Sequence, residues 1–169
     1  AFFGEGKEKP IVLHFDGSKK VEETIKAIQI LSNEGFVPCL ENTVGVEDRT
    51  LSRTYIERYI EVLLKSPGAR AVIDVPRLWC NKNGPVEEAL SRLAFILGAL
   101  SGKDSPIILH LIDAKDESQE RESWCPLGQG IIPWADVGAT FRAAGVKVDM
   151  AILEYEDTAS AKDSFSFLE

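Results

Sequence analysis

Short runs of apolar, largely β-branched residues recur along the chain, each followed by a longer stretch with helical periodicity. The runs are Ile11 to Phe15, Phe36 to Leu40, Ala71 to Asp74, Pro106 to Ile112 and Val148 to Leu153. Between the first two, Val21, Ile25, Ile28 and Leu31 follow one helical face, and Gly35 supplies a stop. RTYIERYIEVLLKSPG, GPVEEALSRLAFILGALSG and IPWADVGATFRAAG repeat the pattern, with Pro85 and Pro133 near helix starts and Gly102 and Gly145 at the ends. Apolar strands alternating with helices predict a parallel sheet covered on both faces, either open and doubly wound or part of a barrel. After the fifth strand only a short tail is expected.

No glycine-rich phosphate loop decides between these sheets. Gly4 and Gly6 precede a strand instead of following one, and Gly128-Gln129-Gly130 lacks both the third glycine and the strand before it. With 169 residues the chain reads as a single domain over 1–169, yet it falls short of the roughly 250 that an eight-stranded α/β barrel normally takes.

Nineteen Lys and Arg against 27 Asp and Glu give a net charge of -8, which argues against a partner held through phosphates, nucleic acid above all. Cys39, Cys80 and Cys125 show no CxxC spacing, so neither a disulfide framework nor a zinc knuckle is expected. No apolar run approaches the roughly 20 residues that span a bilayer, and AFFGEGKEKP is too short and acidic for a signal peptide. A cytoplasmic protein without membrane partners is expected.

In parallel α/β folds chemistry gathers where the carboxyl ends of the strands meet the following loops. The predicted strands end in Leu13-His14-Phe15-Asp16, Leu40-Glu41-Asn42, Ile73-Asp74-Val75-Pro76-Arg77, His110 within LHLIDAK, and Leu153-Glu154-Tyr155. Each delivers a metal-capable side chain to one rim, and both histidines of the chain are among them. A single acidic residue after a strand is ordinarily a helix cap or a solvated loop residue. Glu41, Asp74, His110 and Glu154 together are different: three carboxylates around one imidazole repel unless a divalent cation such as Mn²⁺, Mg²⁺, Co²⁺ or Zn²⁺ compensates them.

VLHFDG, LENTVG, IDVPRLW, ILHLIDAKD, CPLGQGIIPW and AILEYED, in that order, resemble the second part of the xylose-isomerase-like barrel superfamily. That group includes sugar epimerases of the tagatose epimerase type, inosose dehydratases, hydroxypyruvate isomerases and apurinic endonucleases of the same fold. The resemblance implies a TIM-barrel-like fold of which about five strands, corresponding to strands 4 to 8, are present. It implies that Glu41, Asp74, His110 and Glu154 match a four-ligand metal site, and that Glu41 and Glu154 exchange a proton on opposite faces of a ketose through an enediolate. The implied activity is a metal-dependent isomerase or epimerase acting on a sugar or related polyol.

The departures from that pattern are informative. Where such enzymes carry Asp-x-x-His, this chain has Asp74-Val75-Pro76-Arg77; Arg77 cannot ligate a cation but can hold a substrate phosphate or carboxylate, or pair with a neighbouring acid. The endonuclease branch places a histidine where Glu122-Ser123-Trp124 has none, which with the acidic charge disfavours that activity. His14 is read as substrate-facing or structural, and Lys115 as a candidate for a substrate oxygen or a solvated loop residue. Trp124 is a candidate wall for a sugar, whereas Trp134 is expected to pack its helix against the barrel. An open five-stranded fragment leaves two edges unpaired, so another chain or copy is expected to complete or cover the barrel. The rival reading is a noncatalytic, shortened barrel serving as a structural subunit of an assembly.

Overall fold

A computed structural model describes residues 9–17, 19–42, 53–80, 85–118, 121–155 and 157–168. In chain order the elements are β1 (Lys9–His14), α1 (Val21–Asn33), β2 (Phe36–Glu41), α2 (Arg53–Lys65), β3 (Arg70–Asp74), α3 (Ala89–Leu100), β4 (Ile107–Leu111), β5 (Asp113–Ala114), β6 (Trp124–Cys125), α4 (Trp134–Ala144), β7 (Val148–Leu153) and α5 (Thr158–Leu168). The main sheet has the order β1-β2-β3-β4-β7, every pair parallel. This is a set of βα units of a TIM-barrel-like fold with five strands. β5 and β6 form a separate antiparallel pair.

Alternation along each strand sends residues to two different faces. Leu40, Ala71, Ile73, Ile107 and Leu111 face the helices and join a large core with Tyr59, Val62 and Leu63 of α2 and Leu93, Ile96 and Leu97 of α3. Their neighbours Cys39, Val72 and Ile108 form a smaller apolar layer on the concave face, with Val37 and Ile152 packed against it. Continuing the same alternation toward the carboxyl ends brings Glu41, Asp74, His110 and Glu154 onto this concave face. Near its opposite end Arg70 pairs with Asp149, 3.3 Å apart, across the intervening strand β4.

Two tyrosines lock α2 to the strand ends. Tyr55 donates its hydroxyl hydrogen to the carbonyl of Phe15, just past β1. The Tyr59 hydroxyl lies 3.0 Å from the carbonyls of both Leu40 and Val72, so it bridges β2 and β3 from inside the core.

The tail expected after the last strand is instead a helix, α5. Asp157 caps it by accepting from the amide of Ser160 at 2.7 Å. The pattern did not announce it because only Ser164 is buried along it, while Phe165, Phe167 and Leu168 are exposed. The long irregular stretch expected between Ala114 and Gly130 contains β6 and is organised by one buried residue, Asp113. Its carboxylate accepts from the amides of Gly128, Gly130 and Ile132 and from the Trp134 indole at 2.8 Å. A Cβ at Gly130 would lie 2.2 Å from Asp113 Oδ1, so only glycine lets the loop close around the carboxylate.

Candidate functional site

Parallel registry decides which strand ends become neighbours. His14 stands opposite Glu41 and Asp74 opposite His110, while the amide of Glu154 donates to the carbonyl of Leu111 at the end of β4. Glu41, Asp74 and His110 are 4%, 5% and 8% exposed, whereas the Glu154 side chain is 61% exposed. Three of the four proposed ligands are therefore withdrawn from water and the fourth faces it.

Glu41 lies between the two histidines. His14 Nε2 is 3.1 Å from Glu41 Oε2, and His110 Nδ1 is 2.7 Å from Glu41 Oε1 and 3.8 Å from Glu154 Oε2. The contact from His110 to Glu41 is short but lacks hydrogen-bond alignment, leaving Nδ1 a buried polar atom without a hydrogen bond. We read it as an ion contact. The Glu41 carboxylate beside it raises the His110 pKa above the ordinary imidazole value, against the opposing effect of burial. Burial pushes Asp74 up to about 6; Arg77 opposes this, and the nearby Glu41 and Glu154 add to it.

Arg77, on a 3₁₀ turn over Pro76–Trp79, reaches back to Asp74. Its backbone amide donates to Oδ1 and its Nε to Oδ2, both at 3.2 Å. Arg77 thus pairs with a neighbouring acid, and it also lines a cavity of about 650 Å³ with Asp74, Trp124, Glu154 and Tyr155. Lys115 is exposed beyond β5, its backbone amide bonded to Ser123. Trp134 packs against the helix-side core and donates to Asp113, whereas Trp124 is a wall of the cavity.

The donor chemistry suits a divalent ion: carboxylate oxygens plus a buried imidazole nitrogen that lacks a hydrogen bond. The side chains nevertheless contact one another. Among the described residues no group of three His, Cys, Asp or Glu side chains is disposed to hold a metal. Ligation would require Asp74 to turn from Arg77 and Glu154 to turn inward.

Two contributors, Asn42 and Asp113, fall inside the LENTVG and ILHLIDAKD motifs but received no role from them. Asn42 is 1% exposed and bonds through its side chain to the backbone of Asp74. Both act on main-chain groups distant in sequence, so no local spacing reveals them. The hint is their place near strand carboxyl ends, Asn42 directly after Glu41 and Asp113 two residues after Leu111.

Among the described residues no helix is long and apolar enough to cross a membrane. No family model matches the sequence, and no curated protein matches it. Among solved structures, the chain is similar to a 1.8 Å crystal structure of the IolI protein with a bound zinc atom. The TM-score is 0.59 at 15% identity, covering 95% of this chain and 59% of that one. At this identity the likeness establishes a shared TIM-barrel-like fold, of which the chain spans about three fifths of the neighbour's length.

Proposed function

We propose that this chain carries the metal and acid–base centre of a divalent-metal-dependent isomerase or epimerase acting on a sugar or related polyol. The observation that carries this reading is the burial of Glu41, Asp74 and His110 at three neighbouring strand ends, with Glu154 beside His110 at the cavity wall. The two buried carboxylates are met here by His14 and His110 at Glu41 and by Arg77 at Asp74, and the zinc bound by the IolI protein supports a cation taking the place of these contacts. A divalent ion held by Glu41, Asp74, His110 and Glu154 would supply Lewis-acid polarisation of the substrate's oxygens, making a neighbouring C–H proton easier to remove. Zn²⁺, Mn²⁺, Co²⁺ and Mg²⁺ all suit these donors.

The chain's own groups divide the remaining work. Glu41 is buried between His14 and His110 and does not line the cavity, so it would take a proton from substrate only after a movement that opens it to that space. Glu154 lines the cavity and returns a proton from the other side. Arg77 and Trp124 bound the space a sugar would fill, the first offering donors to an oxygen and the second a flat apolar face. His14 acts by orienting Glu41. Lys115, exposed on its turn, would reach substrate only by folding inward.

Residues 1–169 form, in this reading, one domain equivalent to the C-terminal portion of a barrel, and further strands from another chain or copy complete it along β1 and β7. The three cysteines are buried outside any disulfide among the described residues, which supports a reducing, cytoplasmic setting. A second reading, a noncatalytic subunit, is favoured by the grip of Arg77 on Asp74, which occupies a ligand carboxylate.

Deuterium uptake from D₂O into ketoses, followed by NMR with Mn²⁺ or Co²⁺ present, tests the catalytic reading. Glu154→Gln is expected to slow exchange by at least about 100-fold with an unchanged circular dichroism spectrum. Exchange at the wild-type rate in this variant contradicts the role of Glu154. A wild-type protein that neither holds an ion nor exchanges deuterium establishes the noncatalytic reading instead.

A further inference from the structure

We propose that Asp157 is a specificity-determining residue that closes the cavity to phosphorylated and carboxylated ligands and leaves it to uncharged polyhydroxy ones; the inference rests on the reading of the cavity as a sugar site. Two features of the cavity would ordinarily attract an anion. Arg77 lines its wall, and the amino end of α5 opens on it through Asp157 and Ser160. A helix start carries unpaired amides and a partial positive charge, and together with a guanidinium it makes a seat for phosphate or carboxylate.

In this chain an aspartate already occupies each feature. Asp157 Oδ1 accepts from the Ser160 amide at 2.7 Å, so the first turn of α5 is capped by a carboxylate of the protein itself. The Ser160 amide, and after it the Ser160 hydroxyl, hold the Asp157 carboxyl below the usual carboxylate range, which keeps it ionised at neutral pH. Asp74 holds Arg77 through the arginine's amide and Nε, both at 3.2 Å. Glu154 adds a third carboxylate to the wall. His110 lies 3.8 Å from Glu154 but 2.7 Å from Glu41, so a single imidazolium charge is set against two carboxylates. Among the described lining residues three carboxylates therefore accompany one guanidinium, and an entering phosphate adds to the excess of negative charge. An uncharged polyol escapes this repulsion: its hydroxyls are donors for Glu154 and Asp157, and Trp124 offers it a flat apolar face.

Asp163 provides an internal control. It is an exposed acid on the same helix and does not line the cavity. Removing its charge changes the net charge of the chain as much as removing that of Asp157. An effect of net charge alone should therefore appear at both positions.

Saturation-transfer NMR titrations with D-fructose, D-xylulose and their terminal phosphate esters, without added metal, read the preference directly. The wild-type protein is expected to bind the better free ketose at least about 10-fold more tightly than its phosphate, a ratio that shrinks as salt is raised. Asp157→Asn keeps a capping side chain and removes the charge, so it should narrow the ratio about 3- to 10-fold, chiefly through tighter binding of the phosphate. Asp163→Asn should leave the ratio unchanged. Asp157→Ser serves if the asparagine variant does not fold, and it too should narrow the ratio. Equal or tighter binding of the phosphate by the wild type overturns the inference and leaves the sugar reading standing. A wild-type ratio in the folded Asp157 variant, or the same shift in Asp163→Asn, also overturns it, since the discrimination would then not come from Asp157. Binding of none of these sugars by the wild type removes the sugar reading and this inference with it.

Discussion

The two faces of the main sheet are built from alternate residues of the same strands, yet they are organised differently. Toward the helices, Leu40, Ala71, Ile73 and Ile107 continue into the side chains of α2 and α3 as one apolar core. The concave face has a thin apolar layer of Cys39, Val72 and Ile108, then turns polar at Glu41, Asp74 and His110. Its flanks are open, with Val12 on β1 43% exposed and Met150 on β7 52% exposed. The helix-side face supplies the stability that lets the concave face hold like charges close together. Most of the apolar burial and the cluster of charged strand-end residues therefore lie on opposite sides of one sheet.

The sharpest way to break this division is to damage the helix-side face alone. Leu97→Ala, at a fully buried position on α3, should cost about 2–5 kcal/mol by urea unfolding while Co²⁺ affinity of the folded protein stays at the wild-type value. A loss of Co²⁺ affinity in that variant would show that the faces are not separable. Asp113→Asn probes the junction between them. An amide accepts fewer hydrogen bonds than a carboxylate, so some of the donors from Gly128, Gly130, Ile132 and Trp134 lose their partner, at a cost of about 1–3 kcal/mol. Near-neutral stability would mean that water replaces the carboxylate in the loop. The smallest effect is expected at the flank. Val12→Lys should change stability by no more than about 0.5 kcal/mol in this chain by itself. If further strands cover β1 in a longer or assembled protein, the same substitution becomes clearly destabilising there, and comparing the two preparations shows whether the barrel is completed.

How far the sequence was readable follows the same division. The helix-side face repeats with helical and strand periods, so the five main strands and the helices α1 to α4 are visible in spacing alone. The strand-end positions of Glu41, Asp74, His110 and Glu154 follow from those strands, because each is the residue that alternation carries onto the concave face. Their contacts do not follow. The hold of Arg77 on Asp74 was one of two readings of that arginine, and the misaligned contact of His110 with Glu41 depends on the register between strands nearly 70 residues apart in sequence. Asn42 and Asp113 stayed hidden because their partners, the Trp134 indole apart, are main-chain amides and carbonyls, which have the same chemistry at every position. In α5 the cap at Asp157 was present, but the exposed Phe165, Phe167 and Leu168 supply no apolar stripe for a helical pattern to show.

The most direct test of the central claim is the stoichiometry of Co²⁺ bound at equilibrium dialysis by the wild-type chain, with Glu41→Gln and Asp74→Asn measured beside it. One ion per wild-type chain, lost in both variants while their circular dichroism spectra are unchanged, is the predicted result. No bound ion in the wild type, or equal binding in all three proteins, would contradict the assignment of these strand-end residues as a metal centre.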